Sequence, residues 1–392
     1  TKTGENGLYK SLKYGTYTYE ITCEGYRAVL GSLTLDASAE QAEDGLVHQS
    51  IVMNKLAEGA WDGVTKTEPK TDETGTYQIG TGAELAWFGE RVNSGMNTLN
   101  AVLTADIDLA DCAWTPMGGS SGYKGSFDGQ NHTISGLKVE TTTMKAGLFG
   151  YTNKPAKISN LTIEGNVTLI SNAYLSSAWV GGVVGYGYYA DLTNVTNRAN
   201  VTVKTTTGNA EYTGGLAGRL VQGRLVNCTN EGNISGVRSV GGLAGASGND
   251  IPITNCSNHG SIYASTTRVG GICGSMMRSV MTNCYNTGSI TSGSTAASAS
   301  YAGGIAGEVT TKPTFSNCFN AGKVTAKVNG AALFGYVNTI TTVDHLYYLE
   351  GTAEIVNYGS PAYAGKIEAT KMTADEMADT MFVVDLNDNS GE

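Results

Sequence analysis

The sequence predicts an all-β fold, a parallel β-solenoid, and three observations support it. A ten-residue stretch at 225–234, L-V-N-C-T-N-E-G-N-I, has close copies at 253–262, 281–290 and 315–324 and weaker ones at 158–167 and 192–201. A glycine-rich signature such as G-G-L-A-G recurs seven times and closes on a glycine at positions 150, 185, 218, 245, 274, 307 and 335. The period is about 30 residues, and a fixed period of that size indicates stacked units that each cover the apolar face of the last.

The third observation is alternation within the repeat. Apolar positions alternate with Asn, Thr and Ser, and no run shows helical spacing over three turns. We therefore predict two or three short strands per unit, joined by glycine turns. Coils of a parallel β-solenoid pair at about 4.8 Å, so seven coils would stand about 34 Å tall.

Two repeat positions are predicted to shape the turns. The small residues of the glycine-rich signature suit a tight bend at which successive coils approach closely. The Asn that follows an inward apolar residue, such as Asn227, suits a turn whose side chain bonds to the next coil.

This two-part pattern resembles the GLUG-motif repeats of bacterial surface proteins, over roughly 74–387. Such repeats occur in right-handed β-helical regions of adhesin-like proteins and beside modules of the IgA-peptidase type. The resemblance therefore implies a right-handed parallel β-helix and a protein that is secreted or held at the bacterial cell surface. Because such repeats are mostly scaffold, a purely structural role stays open.

Residues 1–58 are predicted to form a small β-sandwich-like module. Residues 17–23 alternate apolar and polar side chains, which is the pattern of a half-buried strand. Further candidate strands lie at 28–35 and 48–54. Residues 12–26, with the pattern L-x-x-G-x-Y-x-Y-x-I-x-x-x-G-Y, resemble the later strands of PEGA or carboxypeptidase-regulatory modules. The resemblance implies a module that is truncated at its first strand.

The rest of the chain divides into a polar linker at 59–75 and the β-helix at 76–392. Solenoids need capped ends, and we assign the caps to 76–117 and 350–392. Each cap is predicted to contain a short helix that begins with a capping box, Thr81 with Glu84 and Thr373 with Glu376. Apolar residues then recur at helical spacing, namely Leu85, Phe88 and Val92 in the first cap and Met377, Met381 and Phe382 in the second.

Composition and charge limit the class of protein. The 392-residue chain has 53 Gly but only 6 Pro, which argues against a disordered or collagen-like chain. No apolar run approaches the ~20 residues of a membrane span, and no signal segment or wall-sorting motif is present, so we expect a part of a longer secreted protein, and a monomer.

The net charge of −10 is unevenly distributed. Between 186 and 335 there are ten Lys and Arg against five Asp and Glu, whereas 344–392 carries ten acids and two lysines. A mildly basic repeat body would attract anionic glycans or wall polymers. Alternatively, its charges form a solvated surface that keeps a protein made of stackable coils soluble. The sequence pI of about 5.0 argues against a nucleic-acid partner.

The seven cysteines are odd in number, and their spacing predicts a ladder of thiols instead of disulfides. Four of them share one repeat position: Cys228, Cys256, Cys284 and Cys318. Stacked one coil apart, they would point inward and behave as small buried hydrophobes. A zinc site needs paired Cys or His a few residues apart, so we assign no metal and no cofactor.

The acidic residues and histidines do not form a recognisable catalytic set. Asp106 and Asp108 share a strand face, with Asp111 and Asp128 nearby, but nothing matches a calcium loop, and His132 has no second His or Cys beside it. A β-helical lyase or glycosidase needs carboxylates at a set separation on neighbouring coils. The acids of the repeat body lie at different repeat offsets: Asp191, Glu211, Glu231, Asp250 and Glu308. We therefore assign no catalytic residue and predict that the chain is not an enzyme.

A candidate ligand site lies at 173–190, where the period is longest and aromatic residues concentrate. Alternation places Tyr186 and Tyr188 on one strand face, and flat rings on a rigid face can stack on sugar rings. We assign the site to Trp179, Tyr186, Tyr188 and Tyr189, with Tyr174 nearby. The alternative is an aromatic cluster that packs an insertion onto its own coil.

These features predict a non-catalytic extracellular module for adhesion, or for binding a carbohydrate, a host matrix or another cell-surface macromolecule. Two alternatives stay open: a structural spacer of a larger surface protein, and a polysaccharide-degrading β-helical enzyme. A screen for polysaccharide cleavage would identify the enzyme, and a glycan or host-matrix array would separate the adhesin from the spacer.

Overall fold

The computed structural model describes residues 12–36, 47–171, 177–205, 211–294, 300–340, 342–360, 362–363 and 367–379. As predicted, the fold is almost entirely β, a parallel β-solenoid of about eight coils. Equivalent strands pair in parallel from coil to coil, so that Leu225 lies beside Leu192 and Ile253. Two short helices occur in the ranges just given, and neither is long and apolar enough to cross a membrane.

The strands of the solenoid form five columns that follow one another in each coil. Column 1, before the glycine bend, comprises Lys145–Ala146, Ala178–Gly181, Glu211–Gly214, Ser239–Gly241, Val269–Gly270, Ala302–Gly303 and Gly330–Ala331. Column 2, after the bend, comprises Phe149–Thr152, Ala244–Gly248, Cys273–Met277, Ala306–Thr310, Phe334–Val337 and Asn357–Gly359, with the first parts of Val184–Asn197 and Ala217–Val226.

Columns 3 and 4 comprise the later parts of those two long strands, together with Thr229–Asn230, Pro252–Thr254, Ser257–Asn258, Val280–Thr282, Tyr285–Asn286, Thr314–Asn320, Thr342–Leu349 and Thr370–Met372. Column 5 comprises Asn200–Thr205, Ile234–Gly236, Ile262–Ala264, Ile290–Ser292 and Val324–Thr325, and Lys157–Ser171 runs through columns 3 to 5. The first coils contain Lys70–Thr71, Tyr77–Ile79, Ala101–Leu103, Ile107–Asp108 and Ser126–Thr141.

A coil such as 239–264 contains five short strands, where two or three were predicted. The difference arises because turns interrupt the repeat. Asn255, between columns 3 and 4, has φ 54, a left-handed conformation that separates two strands. Its Nδ2 donates to Oδ1 of Asn227 at 3.2 Å, and Nδ2 of Asn283 donates to Oδ1 of Asn255 at 3.0 Å. The predicted bond from this Asn to the next coil is thereby confirmed.

The glycine-rich signature forms the predicted tight bend. A Cβ atom on Gly245 would lie 2.4 Å from the backbone N of Thr213 and 2.6 Å from the carbonyl O of Gly218, both in the preceding coil. No side chain fits at such a distance, so glycine is required for adjacent coils to meet here.

Each position inside the solenoid is filled by one side chain per coil. Leu243 and its equivalents Leu216 and Ile272 are fully buried. Beside this apolar core runs a ladder of fully buried amides, which we name the inner amide ladder: Asn197, Asn230, Asn258, Asn286 and Asn320. From Asn197 to Asn286 each Nδ2 donates to Oδ1 of the next amide at 2.6–2.8 Å and to a carbonyl of its own coil at 2.8–2.9 Å. Both amide hydrogens are used, which lets a polar group lie in the core.

Helix α1 (Gly82–Asn93) covers the open first coil. As predicted, the Thr81 hydroxyl accepts from the backbone N of Glu84, and the Glu84 carboxylate accepts from the backbone N of Thr81. The three predicted apolar residues are buried: Leu85, Phe88 and Val92.

Within 12–36 and 47–58 the chain forms one two-stranded antiparallel sheet, Gly15–Ile21 with Val29–Leu35. The prediction of a strand at 48–54 is wrong, because that segment is irregular and only the following residue, Lys55, forms a bridge. Val52 is 84% exposed, and an apolar face that nothing covers does not hold a strand. These ranges contain no second sheet, so the sandwich-like module stays a prediction.

The segment 59–75, predicted from its polarity to be a linker, packs on the first coils. Trp61 is 6% exposed and contacts Trp114 edge-on, with ring centroids 6.1 Å apart. Lys70 and Thr71 pair antiparallel with Gln78 and Tyr77. The buried indole of Trp61 and the strand pair attach this segment to the first coils. The polar composition of the segment does not indicate either contact. The domain boundaries stay predictions.

Helix α2 (Ala374–Ala378) begins with the predicted capping box, in which Thr373 and Glu376 bond to each other's backbone N. The helix is short, and none of its side chains is fully buried. The rest of the predicted C-terminal helix, including Met381 and Phe382, lies outside the described residues.

Candidate functional site

The predicted aromatic site lies on the outer side of columns 1 and 2, at a glycine bend. Trp179 and Tyr186 flank the bend, with ring centroids 4.8 Å apart. Tyr151 of the preceding coil stacks on Tyr186 at 5.5 Å, with 26° between the ring planes. Lys145 Nζ lies 4.0 Å from the Tyr151 ring centroid, 5.9 Å from that of Tyr186 and 6.0 Å from that of Trp179. One cation therefore faces three rings.

These four side chains meet through strand register. Trp179 pairs with Lys145 in column 1, and Tyr186 pairs with Tyr151 in column 2. Paired residues lie about 4.8 Å apart along the axis, and the bend brings column 1 next to column 2. The result is a compact block of four side chains from two coils.

The next coil extends this block with Tyr212 and Arg219, which pair with Trp179 and Tyr186. The guanidinium carbon of Arg219 lies 5.3 Å from the centroid of the Tyr212 ring. We name the six residues the aromatic–cationic stripe: Lys145, Tyr151, Trp179, Tyr186, Tyr212 and Arg219. The stripe thus has a cation at each end and four rings between them, over three coils.

The two cations of the stripe differ from most other arginines of the repeat body in their charge partners. Within the part of the chain that the structure describes, neither Lys145 nor Arg219 forms a salt bridge. All six side chains are half-buried. Burial lowers the pKa of Lys145, because the rings replace water around the ammonium without supplying a negative charge. A bound anion would supply that charge.

Tyr188 and Tyr189 form a separate aromatic pair, edge to face at 4.7 Å. Lys154 Nζ lies 4.9 Å from the centroid of the Tyr189 ring. The structure therefore divides the predicted site: Trp179 and Tyr186 belong to the stripe, whereas Tyr188 and Tyr189 contact each other. Tyr174 lies outside the described residues.

The equivalent outer positions carry other residues in later coils. In the next coil, the positions that pair with Tyr212 and Arg219 are occupied by the small residues Ser239 and Ala246. Farther along, Arg268 and Glu308 neutralise each other, with Nε and Oε2 2.7 Å apart. The stripe therefore ends at its third coil.

Sequence reasoning missed Lys145, Tyr151, Tyr212 and Arg219. The repeat contained a signal for two of them, since Tyr151 and Arg219, like Tyr186, directly follow a closing glycine. Comparing that position between repeats places all three in one column. A search for aromatic residues within one stretch finds residues that are close in sequence. The stripe residues lie in adjacent coils and are far apart in sequence.

The four cysteines that share a repeat position lie inside the solenoid as free, buried thiols: Cys228, Cys256, Cys284 and Cys318. Each Sγ lies 3.0–3.2 Å from a backbone carbonyl oxygen of its own coil. Burial raises the pKa of Cys228 and Cys284 well above that of an ordinary thiol, since a thiolate would lose its hydration. This geometry suits packing and not nucleophilic chemistry.

The acids near the first coils make structural bonds. Asp106 Oδ1 accepts from the backbone N of Thr133 at 2.9 Å and lies 3.1 Å from Nδ1 of His132. These bonds lower the pKa of Asp106, because they stabilise its charged form. Asp128 Oδ1 accepts a hydrogen bond from Nδ2 of Asn160 at 2.9 Å. Asn160 is the first amide of an outer row of Asn side chains that continues through Asn194 and Asn227, so Asp128 lies at the end of that row.

In the repeat body three acids pair with arginines: Asp191 with Arg224 at 3.3 Å, Glu231 with Arg198 at 2.8 Å, and Glu308 with Arg268 at 2.7 Å. Glu211 is buried at the start of a column 1 strand. In the described part of the chain, no group of three or more His, Cys, Asp or Glu is placed to hold a metal ion.

Known proteins share the repeat and the fold with this chain. The GLUG motif family matches residues 209–235, which include Tyr212 and Arg219 of the stripe. Halomucin from Haloquadratum walsbyi is 29% identical over 185 residues, or 44% of this chain and 2% of halomucin. A crystal structure from Bacteroides ovatus, described as a candidate immunoglobulin A1 protease, matches with a TM-score of 0.50 at 20% identity and covers 80% of this chain and 88% of that chain.

These similarities differ in what they show. The chain spans only 2% of the length of halomucin, and the Bacteroides ovatus protein, at 20% identity, shows the fold alone. The family match therefore shows a GLUG repeat at residues 209–235, and the structural match shows a β-helical fold.

Proposed function

We propose that this chain is a non-catalytic module of a secreted or cell-surface protein, and that it binds a surface glycan through the aromatic–cationic stripe. The observation that carries the proposal is the pair of cations, Lys145 and Arg219, which enclose a row of rings and have no carboxylate partner among the described residues. The GLUG motif and the similarity to halomucin support the surface context. A pure spacer would not need these cations.

The chemistry of the stripe favours an anionic polymer. Aromatic rings contact the apolar faces of sugars, and ammonium and guanidinium groups bind carboxylates or sulfates. Lys145 and Arg219 lie two coils apart, or about 10 Å along the axis, so one extended chain reaches both. The scaffold is held by strand pairing on both sides, so little ordering of the protein opposes binding.

Polygalacturonate is a suitable probe in a direct binding assay. We expect the wild-type chain to bind it, and Lys145→Gln with Arg219→Gln to lower the affinity at least tenfold. Trp179→Ala should also weaken binding. Tyr285→Ala is the matched control, because Tyr285 is a half-buried ring in column 4, stacked on Phe319 at 4.9 Å, outside the stripe. Binding should fall as salt rises, because the contacts are electrostatic.

Three results would contradict the proposal. The wild-type chain would fail to bind polygalacturonate, or the double variant would bind as tightly as wild type, or the control would lose binding to the same extent. The size distribution of the polymer after incubation tests the non-catalytic part, since shortening by the wild-type chain would show an enzyme.

A further inference from the structure

A second outer surface lies on column 5, away from the stripe. Its outward side chains form two rows parallel to the solenoid axis. The first row consists of Asn166, Asn200, Asn233, Ser261 and Ser289, and the second of Thr168, Thr202, Ser235, Tyr263 and Thr291. We name this surface the polar groove.

Two shallow depressions lie along the polar groove. A shallow cavity of about 350 Å³ lies over Asn166 and Thr168, and a second of about 500 Å³ extends from Asn200 to Thr291. They are neighbours, because Asn166 of the first pairs with Asn200 of the second. From Asn166 to Ser289 there are four coil steps, or about 19 Å. The two cavities therefore form one elongated surface.

The first row is held in place by hydrogen bonds between coils. Oδ1 of Asn200 accepts from the backbone N of Asn233 at 3.2 Å, and Oδ1 of Asn233 accepts from the backbone N of Ser261 at 3.1 Å. Ser289 Oγ donates to Ser261 Oγ at 3.1 Å. These bonds fix the side chains and leave further donors and acceptors for a ligand.

The hydroxyls of the second row are available for binding. Within the described ranges, the side chains of Thr202, Ser235 and Thr291 make no hydrogen bond to protein. Each hydroxyl can donate one bond and accept others. A ligand lying along the groove would therefore meet a regular array of amides on one side and hydroxyls on the other.

Tyr263 is the fourth of the five residues in the second row and is 42% exposed. A Cβ atom on Gly293, in the next coil, would lie 2.5 Å from the phenol oxygen and 3.1–3.3 Å from two ring carbons of Tyr263. The missing side chain at Gly293 thus makes room for the ring to lie against the surface of the next coil. A ring in this position offers a flat apolar platform among polar groups.

The charge distribution selects among ligands. The ten residues that line the larger cavity are all uncharged. Charged residues occur at the ends: Asp111, Lys138 and Glu140 in the smaller cavity, and Lys323 beyond Ser289. Among the residues that line the larger cavity, an anionic polymer would contact no cation, and a protein partner would contact one exposed ring, that of Tyr263. A hydroxyl-rich, uncharged chain matches both the polar rows and the ring.

We propose that the polar groove binds an uncharged polysaccharide that lies parallel to the solenoid axis. A sugar ring covers Tyr263, and sugar hydroxyls bond to the Asn and Ser row on one side and to the Thr and Ser row on the other. This site goes beyond the proposed function, because it lies in a different column from the stripe and takes a ligand of different charge.

Affinity electrophoresis tests the assignment with four neutral polysaccharides as probes: dextran, mannan, laminarin and hydroxyethylcellulose. We expect at least one of them to retard the wild-type chain, and Tyr263→Ala to lower that affinity at least tenfold. Ser235→Lys is a second test variant, because a half-buried hydroxyl in the groove is replaced by a bulky charge. Lys145→Gln with Arg219→Gln is the control and should be retarded like wild type. Unchanged thermal melting shows that each variant is folded.

Three results would overturn the assignment. In the first, none of the four probes retards the wild-type chain. In the second, Tyr263→Ala and Ser235→Lys are retarded as strongly as wild type. If the control alone loses retardation, neutral binding belongs to the stripe and the groove assignment fails while the proposed function stands. Failure to bind polygalacturonate, by contrast, removes the proposed function and leaves the groove.

Discussion

The inside and the outside of the solenoid differ in how strictly a repeat position keeps its residue. The inner amide position is Asn in five successive coils, and the inner thiol position is Cys in four. The outer position after the closing glycine changes from coil to coil: Tyr151, Tyr186, Arg219, Ala246, Ser275, Glu308 and Tyr336. Inside the solenoid, each side chain packs against the equivalent side chain of the next coil, so the residue type at that position is restricted. Outside, the outer row that includes Asn227, Asn255 and Asn283 also stays constant, because its amides bond to one another, whereas positions without such bonds vary and can carry function.

Substitution of Leu243 by Asp tests the inner side with the largest expected effect. Leu243 is fully buried, and an unpaired carboxylate at that position costs several kcal/mol. We expect the free energy of unfolding, measured with denaturant, to fall by that amount or the body to lose cooperative melting. Ser265→Asp is the outer control, because Ser265 is exposed in the same coil, and should change stability by less than about 0.5 kcal/mol. Unchanged melting of Leu243→Asp would refute the inward placement.

The same contrast explains how far the sequence could predict the fold. Leu243 and the closing glycine Gly245 could be placed because buried positions repeat. The inner amide ladder repeats equally well but was not predicted, because an isolated Asn such as Asn258 is unfavourable in a core. Only bonds to its own copies make it stable there. Four of the six stripe residues were missed because contacts such as Tyr151 with Tyr186 join residues 35 positions apart, and strand register alone brings them together.

Asn258 and Asn255 lie in the same coil and allow a direct comparison of inner and outer amides. Asn258→Ala removes the acceptor of Asn230 Nδ2 at 2.7 Å and leaves buried polar groups unpaired, so we expect a loss of about 1–3 kcal/mol. Asn255 has φ 54, where glycine is tolerated, and Asn255→Gly should be close to neutral. Chemical denaturation of both variants provides the measurement. Equal losses would show that the inner ladder contributes no more than the outer row.

Thiol reactivity compares the buried cysteines with the exposed Cys23. Burial raises the pKa of Cys273 to about 11 from 9.0, so native protein should expose one reactive thiol, that of Cys23, and all seven only after unfolding. The raised pKa also gives a pH dependence. The unfolded thiol ionises first, so the contribution of Cys273 to the free energy of unfolding is constant below about pH 9 and falls between about pH 9 and 11. Reaction of more than one thiol in the native state, or a disulfide among the four stacked cysteines, would contradict the buried ladder.

A modest effect on stability is expected at Tyr186 and Tyr188, and these two residues decide whether the aromatic rings serve binding or packing. Both lie on the strand Val184–Asn197, yet Tyr186 contacts Tyr151 and Trp179, whereas Tyr188 contacts Tyr189. Each substitution to Ala removes half-buried ring contacts, so we expect a loss of about 0.5–1.5 kcal/mol in either case.

Binding should separate the two tyrosines where stability does not. Tyr186→Ala takes the central ring out of the stripe and should lower polygalacturonate affinity, whereas Tyr188→Ala should bind like wild type. The decisive measurement combines thermal melting and binding for the double variant. If Tyr186→Ala with Tyr188→Ala melts far below wild type and still binds with wild-type affinity, the rings serve packing. The stripe would then belong with the inner ladders, as a structural feature that happens to face solvent, and the ligand site would have to be dropped.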